Sequence, residues 1–179
     1  MTSKTDPSRT LLTDADELGH EARSELGDHA ALKLWLRLLA STTQIEDEIR
    51  RRLRNRFDTS LPRFDYMAQL YRQPDGLKMK DLSRYLMVTG GNVTGVTDEL
   101  VRDGFVTREN SPADRRAWIV RLTEQGRKTF ETMAQAHEQW ILELFSGLDP
   151  STVQQLYSQL GALRVHVVRV QEQTNKDNR

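Results

Sequence analysis

Two stretches of this chain carry side chains whose types and spacing suit contact with a polyanion. The first is Thr89, Gly90, Gly91, Asn92 and Thr94, with Arg102 further on. Asn can pair with adenine through two hydrogen bonds, and Thr can touch a thymine methyl or a phosphate. The paired glycines leave backbone N–H groups bare where a helix N-terminus would approach an anion. A strained turn explains a Gly-Gly pair as well. The second stretch is Asp114-Arg115-Arg116. A long cation such as Arg115 at a hairpin tip reaches into a narrow minor groove, where the negative potential is enhanced. A plain solvated tip is the alternative. Arg116 is either a further phosphate contact or the ion-pair partner of Asp114, which would then orient the hairpin.

Bond-making chemistry fares worse. The chain has no Cys, which removes thiolate nucleophiles, thiolate metal ligands and disulfides together. His20, His29, His137 and His166 are scattered without metal-ligand spacing. His137 falls on an apolar helix face, where a packed histidine is the simpler reading. Gly90-Gly91 follows no strand, and no Gly-rich loop leads to a Lys, so neither nucleotide fingerprint is present. We therefore expect no enzyme, no metal and no cofactor.

The elements that must position these residues are legible around them. Residues 78–86 read as a short amphipathic helix with Met79, Leu82 and Leu86 on one face. Residues 87–89 make a tight turn. Residues 90–102 read as a second helix, with Val93, Val96 and Leu100 inward at the spacing of a buried stripe. The opposite face then carries Gly91, Asn92, Gly95 and Asp98. An acid on such a face is read as orienting a neighbouring Arg. Gly104 would stop the helix in a left-handed conformation. Residues 105–108 and 118–121 read as strands around the turn sequence Asn-Ser-Pro-Ala-Asp at 110–114. Helix, turn, helix and hairpin, in that order, make a winged helix-turn-helix.

The flanks are helical. Residues 1–28 are acid-rich and poor in apolar side chains, and read as a mobile arm. In residues 29–57, Leu32, Trp35, Leu36, Leu39, Ile45, Ile49, Leu53 and Phe57 recur near heptad spacing. Arg50, Arg51, Arg52, Arg54 and Arg56 either complement that helix's C-terminus or reach toward a phosphate or acidic ligand. A short helix at 63–71 would bury Phe64, Met67, Ala68 and Leu70. Thr123 caps a long helix with Phe130, Met133, His137, Trp140, Ile141 and Leu144 on its apolar face. Asp149 caps the last helix, with Pro150 in its first position. That helix carries Val153, Leu156, Leu160, Leu163, Val167 and Val170, and residues 172–179 form a polar, frayed tail. These long helices are too apolar to stand alone. We read Leu32, Leu36, Trp140, Leu156, Leu160, Leu163 and Val167 as the seam of a homodimer, with an intramolecular bundle as the alternative.

Charge is distributed to match. Lys and Arg total 26 and Asp and Glu total 26, so the chain is formally neutral, which argues against indiscriminate nucleic-acid binding. Residues 78–128 are nevertheless locally basic, which suits binding focused on one surface. No apolar run approaches the roughly 20 residues of a membrane span. The polar, acidic N-terminus is unlike a secretory signal, and a cytoplasmic protein without membrane contact is expected.

From about residue 29 to 170 the chain resembles the MarR family of winged-helix transcriptional regulators. The resemblance is carried by Asp114-Arg115-Arg116 followed by Val120-Arg121-Leu122-Thr123-Glu124-Gln125-Gly126. It is carried also by Val93-Thr94, Asp98, Leu100 and Gly104-Phe105-Val106. Gly95 departs from the family, which often has Arg or another long polar residue there. The start Thr89-Gly90-Gly91-Asn92-Val93-Thr94 is similar to a subset tied to aromatic-acid catabolism, some members of which respond to aryl-CoA thioesters. The resemblance implies a mainly α fold with a small antiparallel wing and a helical dimerisation layer. It divides the chain into the arm (1–28), a first dimerisation helix (29–57), the DNA-binding lobe (58–122), C-terminal dimerisation helices (123–171) and the tail (172–179). It implies a dimeric repressor of double-stranded DNA with an inverted-repeat operator, released by a small aromatic effector or its CoA thioester. The minor-groove role falls on Arg115. An effector cleft would be bordered by Trp35, Arg37, Arg63, Tyr66 and Met67, with Trp118 near, though the same residues could be core or solvated surface. The competing reading is a helical dimer whose winged lobe contacts protein and does not read DNA.

Overall fold

The structure, a computed structural model, describes residues 30–86, 90–111 and 114–177. The acidic arm and the ends of the polar tail lie outside the described residues, as do Met87, Val88 and Thr89 and the two residues at the wing tip. The element order is α1 (Ala30–Phe57), α2 (Leu61–Tyr71), β1 (Leu77–Lys78), α3 (Met79–Leu86), α4 (Gly90–Arg102), β2 (Val106–Ser111), β3 (Asp114–Leu122), α5 (Glu124–Phe145) and α6 (Pro150–Asp177). This is a mainly α chain with a small antiparallel sheet in the order β1-β3-β2.

The chain divides into two compact units, one ending at Met133 and the other beginning at Ala134, a boundary that falls inside α5. The core of the first unit draws on its helices and on β2 and β3. Ile49 and Leu53 come from α1, Phe64, Tyr66, Met67 and Leu70 from α2, and Leu82 from α3. Val93, Thr97 and Leu100 come from α4, Val106 and Val120 from the sheet, and Phe130 and Met133 from α5. Each apolar side chain so buried contributes roughly 1.5–3 kcal/mol. The rings of Phe64 and Tyr71 both tilt against Phe130, with centroids 5.4 and 5.0 Å apart.

Three local signals set the joints. Ser60 caps α2 by accepting from the Arg63 N–H, so the helix begins at Leu61, earlier than the expected residue 63, and Pro62 sits in its first turn. Gly104 has φ +75°, and the Phe105 N–H reaches back to the Leu100 carbonyl at 2.9 Å, closing α4 as expected. Thr123 Oγ1 accepts from the Gly126 N–H at 2.9 Å and donates to the Gly104 carbonyl at 2.7 Å, tying the start of α5 to the end of α4.

Several expectations need correction. Lys78 belongs to β1, where it pairs with Ile119, and α3 starts one residue later. The wing strands run well past the expected 105–108 and 118–121. Ser111 pairs with Asp114, so Asn110 and Asp114 are strand residues and not turn residues. Val96 is only half-buried, and Thr97 holds the inward place beside Val93 and Leu100. The last helix continues through Asp177, so most of the presumed tail is helical. Arg50, Arg51 and Arg52 turn back to Glu46, Asp47 and Glu48 on their own helix at 2.6–3.0 Å, which favours the solvated-face reading.

In the second unit, Ala136 and Trp140 are buried, while α6 buries none of its residues. Its expected stripe is present and uncovered: Val153, Leu156, Leu160, Leu163, Val167 and Val170 are all exposed. Asp149 caps it, accepting from the Thr152 N–H at 3.0 Å and from the Ser151 and Thr152 hydroxyls at 2.6 Å. Those hydrogen bonds hold its carboxyl far below the usual range. Among the described residues no helix is long and apolar enough to cross a membrane.

Candidate nucleic-acid interface

The interface is built outward from α4. Val93, Thr97 and Leu100 anchor one face in the core, so Gly91, Thr94, Gly95, Asp98 and Arg102 are exposed. Thr97 Oγ1 donates to the Val93 carbonyl at 2.7 Å and, with its proton so used, accepts from the Tyr66 hydroxyl at 2.6 Å. This buried pair fixes the rotation of α4 against α2. Burial pushes the Tyr66 hydroxyl up to about 12, against the opposing effect of Thr97. A second strut joins α4 to the wing. Arg108 Nη1 donates to Asp98 Oδ1 at 2.9 Å while its guanidinium lies 5.1 Å over the Trp118 ring. Asp98 therefore orients an arginine, as the sequence reading has it. A third contact holds the wing to the preceding turn, because Arg121 reaches the Asp75 carbonyl at 2.8 Å and Glu109 at 2.7 Å.

Each expected contact residue can now be placed. Gly90, Gly91, Asn92 and Thr94 occupy the first turns of α4, and Arg102 its last residue, on the surface. Thr89 lies outside the described residues, as do the side chains of Asn92, Asp114, Arg115 and Arg116. On the backbone, Asp114, Arg115 and Arg116 open β3 opposite the end of β2, next to the wing tip. The basic segment is partly neutralised from within. Arg84 pairs with Asp81, Lys128 with Glu124, and Arg127 stacks on Tyr71. Lys78, Lys80 and Arg102 are exposed and form no ion pair among the described residues.

The five residues expected to border an effector cleft are spread out. Trp35 and Arg37 are exposed on α1. Tyr66 and Met67 are core residues. Arg63 is engaged by Asp103, with Glu99 3.9 Å away. Tyr66 also walls one cavity, lined by Pro62, Asp65 and α4, whereas Arg63 and Met67 line another with Phe57, Asp103 and Met133. Trp118 lies on the wing under Arg108, away from Tyr66's cavity. The roles of Thr97 and Arg108 were not read from the sequence. Thr97 follows Val93 at helical spacing, which is a signal. Arg108 offers none, since its partners lie on two other elements.

Residues 59–118 match the model of the MarR family. The helix-turn-helix-type transcriptional regulator YkoM of Bacillus subtilis is 35% identical over 89 residues, 50% of this chain and 58% of YkoM. The transcriptional activatory protein BadR of Rhodopseudomonas palustris is 41% identical over 61 residues, 34% of this chain and 35% of BadR. The chain thus matches little more than half of one of these curated relatives and about a third of the other. A crystal structure of a MarR family transcriptional regulator from Silicibacter pomeroyi superposes with a TM-score of 0.69 at 30% identity, covering 79% of this chain and 99% of that one. With that coverage, and with the winged helix-turn-helix laid out above, the chain belongs to the MarR family of transcriptional regulators.

Proposed function

We propose that this protein is a dimeric, sequence-specific DNA-binding repressor. The observation that carries the reading is α4, anchored on one face by Val93, Thr97 and Leu100 and bare on the other, with Arg108 tying it to the wing. A helix so held enters a major groove, and Gly91, Asn92, Thr94 and Arg102 meet base edges and phosphates. Arg115 enters the adjacent minor groove, Asp114 orients the wing, and Arg116 and the turn at Thr89 and Gly90 contact phosphate. The uncovered apolar stripe of α6 supports a homodimer. Two copies then require an inverted repeat with half-sites about one helical turn, roughly 10 bp, apart. Repression follows when that operator overlaps a promoter. BadR is named a transcriptional activatory protein, and the sign here depends on operator position.

The effector is an aromatic acid or its CoA thioester, supported by the resemblance at residues 89–94. The CoA phosphates take up basic groups otherwise available to DNA, and binding favours a spacing of the two α4 helices that does not fit the operator. Random-site selection followed by mobility shifts tests the whole reading. An inverted repeat, steep loss of affinity with salt, and release by coumaroyl-CoA but not CoA are the expected results. Failure to select any inverted repeat would sink the dimeric operator reading, and indifference to both coumarate and coumaroyl-CoA would sink the effector.

A further inference from the structure

Gly91 and Gly95 stand one turn apart on α4, and a Cβ at either would meet nothing within 4 Å. Glycine inside a helix is destabilising relative to alanine, so neither packing nor helix formation calls for them. Their effect is to open space. Both line a cavity of about 400 Å³ whose apolar walls are Pro62, Tyr66, Leu86, Val93 and Val96. Among the described residues the charged ones lining it are Asp65 and Glu99, and no cation lines it. Asp65 makes no hydrogen bond or ion pair among the described residues. Asp65 and Glu99 are both solvent-exposed, and partial desolvation raises the Asp65 carboxyl above the usual value. Glu46 pushes the same way, and Arg50, its ion-pair partner, opposes it. Glu99 has Arg63 at 3.9 Å, but that guanidinium is held by Asp103.

Apolar walls edged by two carboxylates are complementary to an apolar body bearing one positive charge, and disfavour carboxylates and phosphates. We propose that this cavity binds an amphiphilic organic monocation, an aryl- or alkylammonium, lying along α4 with its charge at Asp65 and Glu99. The site is separate from that of the anionic effector, whose charge the carboxylates exclude, and does not depend on the DNA reading. Its occupant would lie against the same helix that carries Thr94 and Arg102.

Calorimetric titration of the full chain, without DNA, tests this with benzyltrimethylammonium, benzyl alcohol and phenylacetate. The cation should bind saturably, about tenfold or more tighter than the neutral alcohol, and phenylacetate should not bind. Asp65→Asn and Glu99→Gln should each weaken the cation about tenfold while leaving the thermal midpoint near wild type. Gly95→Leu, which fills open space, should abolish binding with the helical circular dichroism intact. Absence of saturable cation binding up to about 10 mM would overturn the proposal. So would equal binding of phenylacetate, or full affinity in the Asp65→Asn, Glu99→Gln double variant.

Discussion

Thr97 and Tyr66 form the smallest unit on which the reading surface depends. Their hydroxyls share one buried hydrogen bond at 2.6 Å, and Tyr66 has no exposed surface. Tyr66→Phe leaves the Thr97 oxygen without its donor, and we expect a loss of about 0.5–1.5 kcal/mol in urea unfolding at neutral pH. The hydroxyl also makes stability pH-dependent. It ionises at about 12 in the folded protein against an ordinary 10.0. Because burial disfavours the ionised form, stability is unaffected by this group below pH 10 and falls as pH rises through 12, by about 3 kcal/mol in all. The Phe variant should lack this component, so its stability should fall less steeply than wild type across that window. Arg115 tests function at the same scale. Arg115→Ala should cost about 1–3 kcal/mol in operator binding without altering the circular dichroism spectrum. Unchanged affinity at physiological salt would remove it from the interface.

Among the elements, the junction between α4, β2 and α5 is the tightest. Phe105 O accepts from the Thr123 N–H at 3.0 Å, and a Cβ on Gly126 would meet that same oxygen at 2.0 Å. Backbone cannot yield there as a side-chain end could. Gly126→Ala should therefore destabilise by about 1–3 kcal/mol, read as a lowered melting temperature. Gly161, in α6, has nothing within 4 Å of its Cβ position. Gly161→Ala should stabilise by about 0.5–1 kcal/mol. Equal effects at the two positions would show that the α5 junction relaxes freely. The capping role of Thr123 was readable, because a hydroxyl before a helical run is a local signal. The demand for glycine at 126 was not. It comes from a carbonyl on the approach to β2.

For the whole molecule, the question is what covers α6. A 28-residue helix with no buried residue and a stripe of exposed Leu and Val is not stable by its own propensity. Leu160 and Leu163, in mid-stripe, are 45% and 37% exposed in the single chain. Changing both to Lys would bury unpaired charge in a dimer seam and should yield a monomer in sedimentation velocity. A double variant that remains a dimer with wild-type melting would place the seam elsewhere. The exposed Leu32, Leu34, Trp35 and Leu39 of α1 present the same problem at the other end of the chain.

What the sequence determined by itself was local. The period of Val93 and Leu100, the Gly104 stop, the Thr123 and Asp149 caps and the order helix, turn, helix, hairpin each rest on residues a few positions apart. Their physics is backbone geometry and one buried stripe. Tertiary structure decided what depends on partners distant in sequence. Tyr66 and Met67, candidates for a ligand cleft, are core residues because α4 and α5 close over α2. Arg108 became a strut and not a free cation because folding brings Asp98 and Trp118 to it. Arg63 was a candidate cation for a ligand until Asp103 came within reach. Local periodicity says which face of an element is buried. Only packing decides which charges end up paired and which carboxylates are left facing a cavity.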